Sequence, residues 1–284
     1  MQYIPHEYQK YATEKIIELP ACALFMEMGL GKTVSTLTAI NELIYDRFEV
    51  QKVLVIAPYR VADDTWTTEA DKWDHLKHLR VSKVLGTSGE RIAALEADAD
   101  IYVINRENVT WLVNLTGKEW PFEMIVVDEL SSFKSNSAKR FKSLRIVRPL
   151  ARRFVGLTGT PAPNGLLDLW PQVYLIDRGE RLGKTYTGYK DRYFLPDRRN
   201  GFVVYSWTPK EGAKEAIEQK LSDICISMKA DDYLNLPAQI VNDVYVSMDR
   251  HEMRKYRELE KKKLLELDGK ESTQPCPAAA CMGE

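Results

Sequence analysis

The first half of the chain alternates short apolar runs with stretches of helical periodicity. The clearest apolar run, at residues 53–57, is continuous and β-branched, which is typical of a strand buried on both faces. Strands are predicted at residues 21–26, 53–57, 81–85, 101–104, 124–127 and 153–157. Helices are predicted between them, at residues 7–19, 34–44, 64–78, 89–97 and 137–147. This alternation predicts an α/β fold: a parallel sheet with helices on both faces.

The pattern changes after Asn164, where the regular alternation stops. An aromatic and basic segment follows, and Asn200-Gly201 within it is typical of a hairpin turn. A capping box with proline in the first turn predicts a helix that starts at Thr208 and Pro209. The other predicted elements are a helix at 166–176, a strand at 240–248, a charged helix at 250–267 and a loose tail at 272–284.

Composition narrows the class of protein. The chain has 284 residues, 44% of them hydrophobic, enough for one large domain or two smaller ones. Its net charge of −1 means that any nucleic-acid binding must come from local basic patches. The four cysteines form no CxxC pair, which favours a reduced intracellular protein over a zinc or disulfide framework. No signal peptide and no apolar run near the roughly 18 residues of a membrane span is visible, so we expect a cytoplasmic protein without a membrane partner.

A glycine-rich turn lies between the first predicted strand and the helix after it. It reads Gly-Leu-Gly-Lys-Thr from Gly29 through Gly31 to Lys32 and Thr33. Backbone N–H groups in such a turn bind phosphates, the lysine reaches the β- and γ-phosphates, and the threonine hydroxyl binds Mg²⁺. Met26 stands where the usual pattern has its first glycine, so an ordinary glycine-containing turn is the alternative.

The string Leu-Gly-Lys-Thr occurs a second time, at residues 182–185. Charged residues precede it, and the residues that follow are poor helix formers. We therefore predict a loop there and no second nucleotide site.

Adjacent carboxylates, Asp128 and Glu129, follow the predicted strand at 124–127. One can hold Mg²⁺ and the other can deprotonate an attacking water, and loops at the carboxyl ends of parallel strands carry ligand sites. Plain solubilising charges at a strand end are the alternative, and the upstream phosphate loop favours the functional interpretation.

Taken together, these strings resemble the superfamily 2 helicase-like ATPases, a class of P-loop NTPases, and within them the Swi/Snf branch. The matching strings are Tyr8-Gln9, Met26 to Thr33, Asp128-Glu-Leu-Ser131, and Leu157-Thr-Gly-Thr-Pro161 completed by Asn164. The form with Asp-Glu-Leu-Ser is most similar to phage-encoded members, and the resemblance covers residue 5 to about residue 260. It implies RecA-like lobes that close on ATP and Mg²⁺, translocation on double-stranded DNA, and a bacterial or phage-infected host cytoplasm.

The resemblance also implies roles for individual residues. Gln9 would read adenine; Gly29, Gly31, Lys32 and Thr33 would bind phosphate; Thr33 and Asp128 would bind the metal; Glu129 would activate water; and Thr158, Gly159 and Thr160 would couple nucleotide state to DNA. Catalysis would thus rest on Lys32, Asp128 and Glu129. Arg60, Asn105, Arg106 and Asn164 match DNA-contacting motifs, although a strand-end loop explains the first three equally well.

A stretch without acidic residues runs from residue 131 to residue 167. Its basic residues are Lys134, Lys139, Arg140, Lys142, Arg145, Arg148, Arg152 and Arg153. Phe141, Leu144 and Val147 are expected to face the core, leaving Arg140 and Lys142 to follow DNA phosphates or to lie on a solvated helix face. The aromatic residues at 186–207 either stack on bases or form a satellite core, and the satellite core is favoured.

The resemblance divides the chain into residues 1–232 as lobe one, with an aromatic and basic insertion at about 178–207, residues 233–271 as the start of lobe two, and the tail. The second lobe is then largely absent, and a second helicase lobe or a protein partner is needed for full activity. A nucleotide-binding module without turnover and an RNA helicase are the alternatives. RNA-unwinding relatives usually carry Ser-Ala-Thr at the position of Thr158 to Thr160, which argues against the second alternative.

Overall fold

The computed structural model describes residues 1–197, 199–200, 203–228, 233, 248–262, 264–267 and 270–273. The chain divides into two compact units, Met1–Asn235 and Leu236–Glu284, and each is considered by itself. Within the described residues, no helix is both long enough and apolar enough to cross a membrane.

The first unit is built on a parallel sheet. Its strands are β1 (Ala21–Met26), β2 (Val53–Ala57), β3 (Val81–Val84), β4 (Ile101–Asn105), β5 (Met124–Asp128), β6 (Arg153–Thr158), β7 (Phe194–Pro196), β8 (Arg199–Asn200), β9 (Val203–Val204), β10 (Trp207–Pro209) and β11 (Cys225–Met228). Seven of the described strands form one sheet in the order β11-β1-β6-β5-β2-β4-β3, and every neighbouring pair is parallel. The six strands predicted in the first half are confirmed. The half-buried edge strand β11 was not predicted.

Helices connect these strands. They are α1 (Glu7–Glu18), α2 (Lys32–Asn41), α3 (Trp66–Lys72), α4 (Ser88–Glu96), α5 (Val109–Thr116), α6 (Lys139–Val147), α7 (Leu169–Asp177), α8 (Tyr186–Tyr193) and α9 (Ala213–Leu221). The sequence pattern did not predict α5. The helix predicted at 64–78 is shorter, because the chain becomes extended at Trp73, whose ring packs edge-on against Tyr3.

Both faces of the sheet are covered, as predicted. On one face, α1, α2 and α3 pack over strand residues such as Leu24 and Val55. On the other face, α5 to α9 pack over their neighbours Ala23 and Leu54. Because successive strand residues point to opposite faces, both sets are fully buried, which explains the continuous apolar runs.

Three predictions in the segment after α7 have different outcomes. The hairpin prediction is confirmed for its strands, since β8 pairs antiparallel with β9. The capping-box prediction is wrong: the segment around Thr208 is extended because β10 pairs with β7, and α9 begins only after Gly212, whose φ is 70°. The poor helix formers at 186–189 are nevertheless helical, because Tyr189 and Tyr193 are buried in the core.

The second unit contains a helix and a strand pair. The helix α10 (Arg250–Lys262) is followed by β12 (Leu264–Leu267), which pairs antiparallel with β13 (Lys270–Thr273). The predicted helix at 250–267 therefore ends early, and the predicted tail begins within a strand. Most of the strand predicted at 240–248 lies outside the described residues.

Candidate nucleotide site

The phosphate loop connects β1 to α2. Gly29 and Gly31 have φ values of 84° and 78°, in the left-handed region that favours glycine. Gly31 also lies against Gln9, whose Nε2 would collide with a Cβ at position 31. Gly31 is the N-cap of α2, so Lys32 and Thr33 stand in its first turn, where backbone N–H groups are available to an anion.

Lys32 is half-buried at the start of this helix. Its Nζ donates to the carbonyl oxygens of Met26 and Glu27, at 2.8 and 3.1 Å. Burial lowers the pKa of Lys32, while the charges of Asp128 and Glu129 act against that shift. The ammonium has three N–H donors, so one remains beyond these two bonds. The Thr33 hydroxyl has no hydrogen-bond partner within the described part of the chain.

The two carboxylates stand at the end of β5. Asp128 Oδ2 accepts a hydrogen bond from the Trp66 indole Nε1–H at 3.1 Å. Burial raises the pKa of Asp128, and both this hydrogen bond and the positive charge of Lys32 oppose the rise. Glu129 adopts a left-handed conformation with φ of 59°, and its Oε1 accepts from the Thr158 hydroxyl at 3.0 Å and from the Ser131 hydroxyl.

The loop after β6 completes the site. Thr158 ends β6, and its Oγ1 accepts from the backbone N–H of Thr160 at 3.1 Å. A Cβ on Gly159 would lie 3.3 Å from the Met26 carbonyl oxygen, so this loop passes directly beside the phosphate loop. The loops after β1, β5 and β6 therefore meet at the carboxyl-end edge of the sheet.

A cavity of about 500 Å³ opens beside the phosphate loop, and its lining includes Gln9, Gly31, Thr33 and Trp73. Its volume lies in the range of ordinary small-molecule sites. The Gln9 amide is already engaged: Oε1 accepts from the His6 N–H at 3.0 Å, and Nε2 donates to Leu30 O at 3.3 Å. Gln9 therefore joins the start of α1 to the phosphate loop in this structure.

The residues predicted to contact DNA are differently placed. Arg60 and Asn164 are exposed, and Arg106 is half-buried and pairs with Glu107 at 2.9 Å. Asn105 is buried, with its amide bonded to Glu107 and Asn108. Its position suits support of this turn better than surface contact.

Helix α6 has the predicted orientation. Phe141, Leu144 and Val147 are buried, while Lys142 is exposed and Arg140 is half-buried. The arginine side chain extends over the ring of Phe133, with 5.8 Å from its guanidinium carbon to the ring centroid.

Two basic residues of the acid-free stretch are structural. Arg148 is buried and donates to the carbonyl oxygens of Ala151, Leu175 and Ile176. Arg153 is also buried. The prediction that this stretch presents a uniform basic surface is therefore wrong at these two positions.

The second Leu-Gly-Lys-Thr string forms a loop, as predicted. It follows the end of α7 and not a strand, and Lys184 donates to the Arg178 carbonyl oxygen at 3.0 Å. Sequence reasoning missed Trp66 and Ser131 as neighbours of the carboxylates. Ser131 was within reach of a motif argument, whereas no sequence signal connects Trp66 to a carboxylate 62 positions away.

The donors present fit a magnesium nucleotide. A left-handed glycine turn at a helix start, a threonine hydroxyl beside it and two carboxylates are hard ligands suited to phosphate and Mg²⁺. This arrangement at the carboxyl ends of parallel strands defines the class of nucleotide-binding α/β proteins with a phosphate loop.

Comparisons with known proteins place the chain within that class. Residues 8–280 match the SNF2-related domain, so the chain belongs to the SNF2-related family, the Swi/Snf type of helicase-like ATPases. It is 36% identical over 284 residues to protein p41 of Acyrthosiphon pisum secondary endosymbiont phage 1, covering 98% of this chain and 62% of p41. It is 28% identical to the DNA annealing helicase and endonuclease ZRANB3 of Bos taurus, covering 77% of this chain and 20% of that protein.

A solved structure supports the fold assignment. The Sulfolobus solfataricus SWI2/SNF2 ATPase core in complex with dsDNA is similar at a TM-score of 0.67 and 23% identity, covering 92% of this chain and 53% of that one. The predicted RecA-like fold and the predicted family are therefore confirmed, and the p41 match fits the predicted similarity to phage proteins. The chain spans less than two thirds of the length of these relatives.

Proposed function

We propose that this chain binds Mg·ATP at the carboxyl-end edge of its sheet and couples ATP hydrolysis to translocation on double-stranded DNA. The observation that carries the proposal is the meeting of three loops there. The phosphate loop with Lys32, the Asp128-Glu129 turn and the Thr158 loop are joined by hydrogen bonds and close backbone contact. Family membership supports the same assignment.

Each side chain has a separate task in this proposal. Lys32 exchanges its bonds to two loop carbonyls for the β- and γ-phosphates, and Thr33 and Asp128 hold Mg²⁺. When bound, Mg²⁺ neutralises charge that develops on the phosphate oxygens. Glu129 takes the proton of the attacking water through Oε2, because its Oε1 is already held by Thr158 and Ser131. That link lets the Thr158 loop sense the state of the base.

The DNA surface is proposed from exposure and charge. Arg60, Arg106, Arg140 and Lys142 present positive charge or N–H donors, and Asn164 adds a polar side chain on the loop beyond Thr160. Such groups bind the phosphate backbone without reading sequence. The Sulfolobus relative is in complex with dsDNA, which supports this partner.

Full turnover, in this proposal, needs arginines from a second helicase lobe or from a protein partner. Residues 1–232 form lobe one, including the insertion at 178–207, and residues 233–271 begin lobe two. An arginine finger contributes roughly 10³ to 10⁵ in rate to related phosphoryl transfers. These 284 residues alone are therefore expected to bind ATP but to release phosphate slowly.

Steady-state phosphate release with duplex DNA, single-stranded DNA or RNA tests the proposal. The chain is assayed alone and fused to the second lobe of a SWI2/SNF2 relative. We expect slow release from the chain alone and stimulation of the fusion mainly by duplex DNA. Turnover of several per second from the chain alone would contradict the need for a second lobe. Stronger stimulation by RNA would support an RNA helicase, and no turnover in either form would support a binding module.

A further inference from the structure

One buried hydrogen bond at the site lies outside the phosphate, metal and base chemistry of its neighbours. Trp66 begins α3 and is fully buried among the apolar side chains on one face of the sheet. Its indole Nε1–H nevertheless reaches the last residue of β5 and donates to Asp128 Oδ2 at 3.1 Å. Because the ring is held by packing on its face, the N–H donor occupies a fixed position beside the carboxylate.

We propose that Trp66 is a positioning residue that orients Asp128 toward Mg²⁺, an inference that rests on the proposed function. A carboxylate at a strand end can rotate about its side-chain bonds, and the indole bond holds one of its oxygens. Oδ1 is then left for the metal or for a water bound to it. Outer hydrogen bonds of this kind commonly govern metal affinity through the ligand that they orient.

The chemistry of the donor favours this role over simple stabilisation of a buried acid. A lysine or arginine in the same place would cancel the negative charge that attracts Mg²⁺. An indole is a neutral donor with a single N–H and no acceptor, so it fixes the carboxylate while the carboxylate keeps its charge. The nearby cation, Lys32, bonds instead to the Met26 and Glu27 carbonyl oxygens.

Calorimetric titration of ATP, in Mg²⁺ and in EDTA, tests the inference. Trp66→Phe removes the N–H donor and keeps an aromatic ring. We expect it to reduce the Mg²⁺-dependent gain in ATP affinity by about tenfold, within the range of about 10 to 100 known for such partners, and to leave affinity in EDTA unchanged. Trp170→Phe is the matched control, because Trp170 is also buried and its indole donates to Gly183 O at 2.9 Å. It should retain the full gain.

A double-mutant cycle identifies the route of the effect. If Trp66 acts through Asp128, Trp66→Phe should lower the gain no further in an Asp128→Asn background. An undiminished gain in Trp66→Phe, an equal loss in EDTA, or a further loss in the Asp128→Asn background would each overturn the inference. Absence of any gain in the wild type would instead contradict the proposed Mg·ATP site.

A shape-preserving variant covers the case in which Trp66→Phe does not fold. The benzothienyl analogue of tryptophan at position 66 replaces the N–H by sulfur and keeps the size of the ring. The same reduction of the Mg²⁺-dependent gain is expected, and a full gain in this variant would overturn the inference.

Discussion

The two edges of the central sheet both bury basic side chains, but they use them differently. At the amino-end edge, Arg153 at the start of β6 donates to the carbonyl oxygens of Ile16, Ile17 and Leu19, and to Glu49 at 2.8 Å. At the carboxyl-end edge, Lys32 bonds to two carbonyls of a glycine loop and faces two carboxylates. The arginine fastens α1 to the sheet, whereas the lysine can change partners when a ligand arrives.

The difference shows that position along the strand, and not residue type, separates support from function in this fold. Loops after the strands have to accommodate a ligand, so their polar groups keep donors and acceptors in reserve. Groups before the strands have no such task, and they are satisfied within the protein. Changes at the two edges should therefore have opposite consequences for activity and for stability.

The largest expected effect is at the carboxyl-end edge. Glu129→Gln keeps the shape of the side chain and removes the base, so turnover should fall by about 10² to 10⁴, or about 3 to 5 kcal/mol in barrier, with ATP affinity retained. The measurement is phosphate release from the chain supplied with a second lobe. Glu180→Gln, an exposed carboxylate at the amino-end edge, is the control. Unchanged turnover in Glu129→Gln would show that water is activated elsewhere.

A large effect on stability is expected at the amino-end edge. Arg153→Met leaves three buried carbonyls without their donor, so the free energy of unfolding should fall by about 2 to 4 kcal/mol. Chemical denaturation measures it. The exposed neighbour Arg152→Met should change stability by less than about 0.5 kcal/mol. Equal stability of the two variants would remove the distinction between the edges.

The smallest expected effect concerns the basic face of α6. Replacing Arg140, Lys142 and Arg145 by Gln should flatten the dependence of log K for duplex DNA on log salt, by about 0.9 for each phosphate that these residues neutralise in the wild type. Three exposed lysines elsewhere provide a control of equal charge: Lys118, Lys214 and Lys220. If both triple variants give the wild-type slope, α6 carries a solvated face and does not bind DNA.

The sequence predicted the sheet well because buried parallel strands are written as continuous apolar runs, and β1 and β2 have their predicted bounds. It failed where long-range pairing and packing override local preference. The capping box at Thr208 lost to pairing with β7, and β11 is too short and too little buried to show a pattern. Local charge also could not distinguish Arg153 from Arg152, because burial at a strand start depends on the packing of α1.

For the candidate site, sequence placed the chemical groups but not the hydrogen bonds among them. The phosphate loop, Asp128 and Glu129 were found because each follows an apolar run directly. The bond from Trp66 to Asp128 spans 62 positions and depends on how α3 packs against the sheet. Likewise, the sequence could not show that the amide of Gln9 is already bonded to His6 and Leu30.

The repeated Leu-Gly-Lys-Thr string offers the most direct test that the carboxyl-end edge binds nucleotide. Calorimetric titration of Mg·ATP would compare wild type, Lys32→Ala and Lys184→Ala, two lysines in the same local sequence, of which Lys184 bonds to Arg178 O away from the site. We expect Lys32→Ala to weaken binding by at least about tenfold, roughly 1.4 kcal/mol, with little change in unfolding free energy. Lys184→Ala should match the wild type. Equal affinity in all three proteins would contradict the proposed nucleotide site.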